Sequence, residues 1–292
     1  MNVESETDQL RRRLRQMTVL HQVSTRIVST LDPDQVVASV LGSLQNLVSY
    51  RSASICLEGR ASKGECGETP SLAVPLVAGG RQIGSLRLWL ADTPDAEDLK
   101  VLELLAATAA VALQNADLYQ ETQRLATTDA LTGLSNYRHF HELLVLEVQR
   151  ARRMAYPLGL LIMYLDHFKL VNDRHGHPAG DLALKIVGER LRKRLRSTDV
   201  IARIGGEEFA AILPGDGLQE VAVVAEKLRQ AIEELPPVPD GTDEDSTSVT
   251  LSVGGTSLGP DVADAQLLLT CADRALYEAK RNGRNQVRLF GE

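Results

Sequence analysis

The chain is predicted to be an α/β (α+β) protein of two domains joined by a long helix, and three observations predict it. At 292 residues it is long enough for about two cores. Its first ninety residues run helix, helix, then short β-rich runs, whereas residues after Thr128 alternate helices and strands. Between them lies an unbroken helical stretch, Ala96 to about Thr127.

Residues 8 to 30 form an amphipathic pattern with Leu10, Leu14, Met17 and Leu20 on one face, flanked by Arg11, Arg12, Arg13 and Arg15 as a solvated basic edge. Leu31-Asp32-Pro33-Asp34 stops this helix and Gln35 to Val48 starts a second. Strands follow at Ser52–Glu58, Leu72–Val77 and Gln82–Leu90, with a turn at Ala78-Gly79-Gly80-Arg81. Thr93-Pro94-Asp95 opens the long helix, where Leu102, Leu105, Ala109, Ala112, Ala116, Tyr119 and Leu125 make one apolar stripe. A parallel copy of the helix is the partner predicted for that stripe; packing on its own domain is the alternative.

The second half reads as helix Asn136–Arg153, buried strand Leu158–Leu165, a polar loop, and helix Pro178–Arg194. A hairpin, Val200–Ile204 with Phe209–Leu213, and helix Leu218–Leu235 come next. Pro236–Thr247, rich in proline and acids, is predicted to be a mobile loop, followed by strand Ser248–Thr256, helix Asp264–Arg281 and strand Gln286–Phe290. Strands and helices in this order suggest a palm-like sheet with helices packed against it.

The formal charge of −7 argues against a nucleic-acid surface, so an anion site must be local. The longest apolar run, Leu104 to Leu113, is too short to span a bilayer, and Met1 to Glu6 lacks the basic start of a signal peptide; a cytoplasmic protein with no membrane partner is expected. Cys56, Cys66 and Cys271 have neither disulfide nor zinc-site spacing and read as small hydrophobes or free thiols. His167, His175 and His177 lack regular ligand spacing and read as loop polars.

The most informative stretch is Arg203-Ile204-Gly205-Gly206-Glu207-Glu208-Phe209: a glycine turn followed at once by paired carboxylates, able to meet a divalent metal and a phosphorylated ligand. With Asp129-Ala130-Leu131-Thr132-Gly133-Leu134 upstream and Gly283-Arg284-Asn285 downstream, it resembles a GGDEF-type diguanylate cyclase domain over residues 126–292, a palm-like fold related to nucleotidyl cyclases. Residues 17–120, with Ala73-Val74-Pro75-Leu76, Ile83-Gly84-Ser85-Leu86 and Asn115-Ala116-Asp117-Leu118-Tyr119, resemble a GAF sensory domain. That domain is short between Glu58 and Leu72, which favours dimerisation and relay over small-molecule sensing. Residues 1–30 then form an N-terminal helix and residues 96–127 a connecting helix.

The resemblance implies condensation of two GTP into cyclic di-GMP and pyrophosphate in a homodimer held by the N-terminal domain and connecting helix, with Mg2+ or Mn2+ as cofactor. By the same resemblance Glu207 and Glu208 bind metal and act in catalysis, joined by the backbone of Leu165. Asn172 and Asp181 read the guanine edge, a pairing of donors and acceptors suited to that base. His167, Phe168 and Lys169 hold phosphates, Lys169 also serving catalysis; Gly205 and Gly206 let the backbone approach the nucleotide, and Lys280 and Arg284 reach the triphosphate. Arg196-Ser197-Thr198-Asp199 matches the family's product-inhibition motif, with Arg229 as a second arginine for cyclic di-GMP.

One position departs. The family's strand ends Asp-x-Asp, but here it runs Met163-Tyr164-Leu165-Asp166. A phenol of pKa about 10 is a poor ligand for a hard cation, and Asp166, two residues on, is the substitute on the same strand face. Two functional readings follow: a working cyclase, or a GGDEF domain that binds GTP or cyclic di-GMP without turnover. A purely structural dimerisation protein is the third, and it would not need Asn172, Asp181, Glu207, Lys280 and Arg284 together.

Overall fold

The computed structural model describes residues 14, 17–18, 20–59, 63–64, 69–236, 248–259 and 262–291. Leu10, Arg11, Arg12, Arg13, Arg15, Cys66 and the loop at 237–247 lie outside them. The chain divides into two compact units, Met1–Gln123 and Arg124–Glu292.

In the first unit, helix α1 (20–28) and helix α2 (Pro33–Leu44) precede strands β1 (Tyr50–Leu57), β2 (Lys63–Gly64), β3 (Leu72–Ala78) and β4 (Arg81–Leu90), and helix α3 (Ala96–Thr127) begins here. Asp32 caps α2 by accepting from the Asp34 N–H, and Pro33 fits the first turn because it has no N–H to leave unpaired. The antiparallel sheet has the order β2-β1-β4-β3; β2 falls within the short Glu58–Leu72 gap and was too brief to register as a sequence pattern. Gly79 and Gly80 both take positive φ, which a two-residue turn matching strand twist requires. Val36, Val40, Leu44, Leu76, Leu86, Leu88, Leu102, Leu105 and Leu113 are fully buried between sheet and helices.

The α3 stripe is not where the sequence pattern put it. Leu102, Leu105, Ala109, Ala112 and Ala116 are buried in the core of their own unit, so that face is already covered. A second stripe, Leu104, Val111, Leu118 and Leu125, is exposed at intervals of seven. Small alanines allowed the sheet side to pack closely, and hydrophobicity alone cannot tell a core-facing stripe from an outward one. By length and composition α3 is apolar enough to cross a membrane, with an 18-residue window of mean hydropathy 1.3, although its longest apolar run, Leu104 to Leu113, is only ten residues; 44% of that window is buried in protein.

The second unit holds helix α4 (Tyr137–Met154), strand β5 (Leu158–Asp166), helix α5 (Phe168–Arg194), strands β6 (Val200–Arg203) and β7 (Glu208–Pro214), helix α6 (Leu218–Glu233), strand β8 (Thr250–Ser257), helix α7 (Ala265–Arg281) and strand β9 (Val287–Leu289). The sheet order is β6-β7-β5-β8-β9, antiparallel except for β8 with β9. Central β5 is covered on both faces, hence its near-continuous apolar run. Leu161, Met163 and Leu165 pack with α5 and α6, including Val187, Leu191 and Leu228. Leu160 and Ile162 pack with Phe140, Leu144, Leu268 and Leu276 on the other face, where Tyr164 joins the edge of the cluster.

The stretch expected as a loop after β5 is helical. α5 starts at Phe168, behind His167 at φ 61, and continues to Arg194 across a kink at Gly176, φ 78 and ψ 166. Pro178 sits just past that kink, where its missing N–H breaks nothing because the helix is already interrupted. Polar residues and two glycines masked a helix whose buried side is only Phe168, Val171 and Gly180 in this part.

Candidate functional site

Four segments of the second unit build the site: the end of β5, the start of α5, the β6–β7 hairpin and the end of α7. The hairpin forms around Gly205 and Gly206, closed by the Ile204 N–H to the Glu208 carbonyl at 2.9 Å. Neither glycine takes positive φ. At Gly205 a Cβ would lie 2.7 Å from Oε2 of Glu208, which folds over the turn, so a side chain there would displace that carboxylate. The Arg203 guanidinium donates to the Gly206 carbonyl at 2.7 and 3.2 Å and to Asp129 at 3.2 and 3.3 Å. Burial pushes the Asp129 carboxyl up, but hydrogen bonds from Thr132 and the Arg203 charge outweigh it and hold the group below its ordinary range. Both residues belong to the motifs of the sequence, yet their pairing across 74 positions was not legible there.

The Leu165 N–H donates to the Glu207 carbonyl at 3.0 Å, which draws the acidic loop against β5. Glu207 thereby meets Tyr164, whose hydroxyl donates to Oε1 of Glu207. Glu208 lies opposite Tyr164 in the strand register. From α7, the Lys280 ammonium sits 3.3 Å from the centroid of the Tyr164 ring, a close cation–π contact. The bond to Glu207, burial, and the charges of Glu207, Glu208 and Asp166 push the phenol up to about 12, so it stays protonated and neutral. Burial lowers Lys280, opposed by the charges of Glu208, Asp273, Asp166 and Glu207.

Asp166 is fully buried and bound by three donors: Thr250 Oγ1 at 2.9 Å, Ser252 Oγ at 2.8 Å and the Asn285 N–H at 3.1 Å. It ties β5 to β8 and to the turn after α7. That turn holds Arg284 and Asn285 at positive φ, 61 and 44, and the Asn285 side chain bonds Glu233 and Arg229. Asn285 was read only as part of a motif.

A divalent ion fits these residues poorly. Magnesium and manganese want several anionic oxygens in fixed geometry. Here Tyr164 presents a neutral hydroxyl, Glu207 accepts a hydrogen bond from it, and Asp166 is enclosed by its three donors. Among the described residues no three His, Cys, Asp or Glu side chains gather as a metal shell.

Asn172 and Asp181 lie on either side of the Gly176 kink. The Asn172 side chain crosses Gly180 so closely that a Cβ there would stand 1.9 Å from Oδ1 and 3.2 Å from the Phe168 ring. The kink thus brings the amide against Gly180, the residue before Asp181, and Asp181 itself is exposed. Phe168 and Lys169 occupy the first turn of α5, where backbone N–H groups lack helical partners and favour anions. Lys169 and Arg284 are exposed.

Arg196 and Asp199 come together in one turn beside an open pocket of about 570 Å³. The Asp199 carboxylate accepts from the Arg196 N–H at 2.8 Å, while the Arg196 guanidinium meets buried Asp216 at 3.0 Å. Arg229 is held instead by Glu226, Glu233 and Asn285. His167 stands in the turn at the N-terminal boundary of α5 without a side-chain capping bond, and His175 and His177 flank the kink within that helix. Cys56 and Cys271 are free thiols, partly and fully buried respectively.

Residues 126–286 match the family described as diguanylate cyclase, GGDEF domain, and residues 18–114 match the GAF domain family. The chain belongs to the GGDEF-domain diguanylate cyclase family. It is 35% identical over 228 residues to Diguanylate cyclase A of Treponema denticola, covering 76% of this chain and 60% of that protein. It is 42% identical over 168 residues to Diguanylate cyclase DgcP of Pseudomonas aeruginosa, covering 58% of this chain and 24% of that one. The coiled coil and GGDEF domain of DgcB from Caulobacter crescentus, solved in complex with c-di-GMP, superposes with TM-score 0.59 at 28% identity, over 67% of this chain and all of that one. The chain therefore spans less than two thirds of the length of these curated relatives.

Proposed function

We propose that this chain is a guanine-nucleotide-binding signalling module of the GGDEF family in which the condensation of GTP to cyclic di-GMP is disabled. One observation carries the reading: Tyr164 stands at the sequence position of a metal-binding carboxylate, and its hydroxyl is bonded to Glu207, one of the two acidic ligands that remain. Asn172 and Asp181 present the amide and carboxylate suited to guanine, and the start of α5 with Lys169 offers donors to phosphate. Arg196 and Asp199 form a second, separate candidate site for cyclic di-GMP, their bonds to each other and to Asp216 exchanged for the ligand. The protein acts in the cytoplasm, where GTP is abundant.

Purified protein incubated with GTP and magnesium is expected to form no more cyclic di-GMP than a Glu207→Ala, Glu208→Ala control. Product clearly above that control would establish a working cyclase and overturn the reading.

Gly180→Ala is expected to weaken guanine-nucleotide binding about tenfold, since the added methyl displaces the Asn172 amide. The clash is mainly with a side-chain end, so stability should fall by only about 1 kcal/mol. Fluorescence titration with a labelled nucleotide reads the first effect; unchanged affinity would remove Asn172 from base recognition.

Dimerisation is part of the same proposal. Leu104, Val111, Leu118 and Leu125 recur every seven residues on the exposed side of α3, with Thr108, Asn115 and Thr122 at the alternate positions of the repeat. A parallel copy of α3 is the partner that such spacing matches, and an asparagine at an inner position specifies register. Val111→Glu with Leu118→Glu is expected to halve the mass measured by light scattering. A wild-type protein already monomeric at the same concentration would refute the dimer.

A further inference from the structure

The Tyr164–Lys280 contact bears on what the site binds, and the inference rests on the nucleotide reading above. Glu207 and Glu208 stand together at the hairpin, and two adjacent carboxylates need a neighbouring positive charge. Lys280 supplies it. Its ammonium lies on the face of the Tyr164 ring, within reach of the charges of Glu208, Asp166 and Glu207. The ring holds the ammonium by its π face, and the ring's hydroxyl holds Glu207 by a hydrogen bond. The acidic pair thus faces a cation of the protein itself.

We infer that this clamp makes the site a metal-independent one for guanine nucleotides of low phosphate number, guanosine mono- or diphosphate, rather than for a metal–triphosphate complex. The clamp engages neither Asn172 and Asp181 nor the start of α5, which remain available for guanine and its nearest phosphate. Each further phosphate brings negative charge toward Glu207 and Glu208 with no ion between them. Lys280, engaged on the ring, cannot swing to a γ-phosphate without abandoning the carboxylates.

Isothermal titration of the full chain with GTP, GDP, GMP and guanosine, each in magnesium and in EDTA, tests this. GDP and GMP affinities should differ by less than about twofold between the two buffers, and GTP should bind no more tightly than GDP. Asp181→Asn should weaken all the nucleotides about tenfold, locating the signal at this site, and Tyr164→Asp should make GTP binding depend on magnesium by about tenfold or more. Tightening of wild-type GTP binding by about tenfold on adding magnesium would overturn the inference, as would Asp181→Asn binding like wild type or no binding of any guanine nucleotide. Formation of cyclic di-GMP, or no binding of any guanine nucleotide, would sink the functional reading itself; magnesium-dependent GTP binding without product would sink the inference alone.

Discussion

A Tyr164→Asp variant is expected to form cyclic di-GMP from GTP and magnesium at a rate at least about 100-fold above the unmodified chain, corresponding to about 2.7 kcal/mol of barrier. The substitution does three things at once. It places an anionic oxygen beside Glu207 and Glu208, it removes the hydroxyl that bonds Glu207, and it removes the ring that holds Lys280. The phenol cannot take the first role itself, since with its ionisation pushed up to about 12 it carries no charge at neutral pH. Tyr164→Phe separates the contributions: it frees Glu207 of the hydroxyl but keeps the ring and adds no charge, so it should form no product. The measurement is nucleotide chromatography on both variants with magnesium titrated in. A Tyr164→Asp protein that folds and binds GTP, yet stays silent at every magnesium concentration, would show that the lesion lies elsewhere.

Gly254→Ala is expected to be the most destabilising single-methyl change in the second unit, costing about 3 kcal/mol or more. Gly254 lies in β8, paired with Ile162 of β5, beneath α7. A Cβ there would stand 2.2 Å from both the Ala272 carbonyl oxygen and the Leu276 nitrogen, and 2.7 Å from the Leu276 Cα. All three are backbone atoms of a packed helix, so no rotamer change relieves the contact; α7 must lift from the sheet. Since α7 carries Lys280, nucleotide affinity should change together with stability. Urea unfolding followed by circular dichroism reads the first effect. A loss under about 1 kcal/mol would mean that α7 is free to move away from β8.

Much of the architecture was legible in local patterns. The run from Leu158 to Leu165 is apolar without alternation, as a strand covered on both faces must be, and β5 spans it. Gly205-Gly206 between apolar runs marked the hairpin of β6 and β7, and the limits of α3 followed from Pro94 and the change of pattern near Thr128. Failures arose where two outcomes share one pattern. The α3 stripe points to a partner helix, with packing on its own domain as the alternative; its part from Leu102 to Ala116 is buried in its own unit, Tyr119 and Leu125 are exposed, and the sparser heptad of Leu104, Val111 and Leu118 that Leu125 continues is not evident from the pattern. Residues 168–177 looked like a loop because their helix exposes most of its sides and breaks at Gly176.

The sequence by itself determined the family, the acidic hairpin and the absence of an aspartate at position 164, because these are matters of residue identity and short spacing. It did not determine what Tyr164 touches. The phenol meets Glu207 from 43 positions away and Lys280 from another helix, while Asp166, the sequence's candidate substitute, is enclosed by Thr250, Ser252 and Asn285. Only the folding of β5 against β7 and α7 brings those groups within hydrogen-bonding and cation–π range. Such short-range forces act between neighbours in space, whatever their distance along the chain.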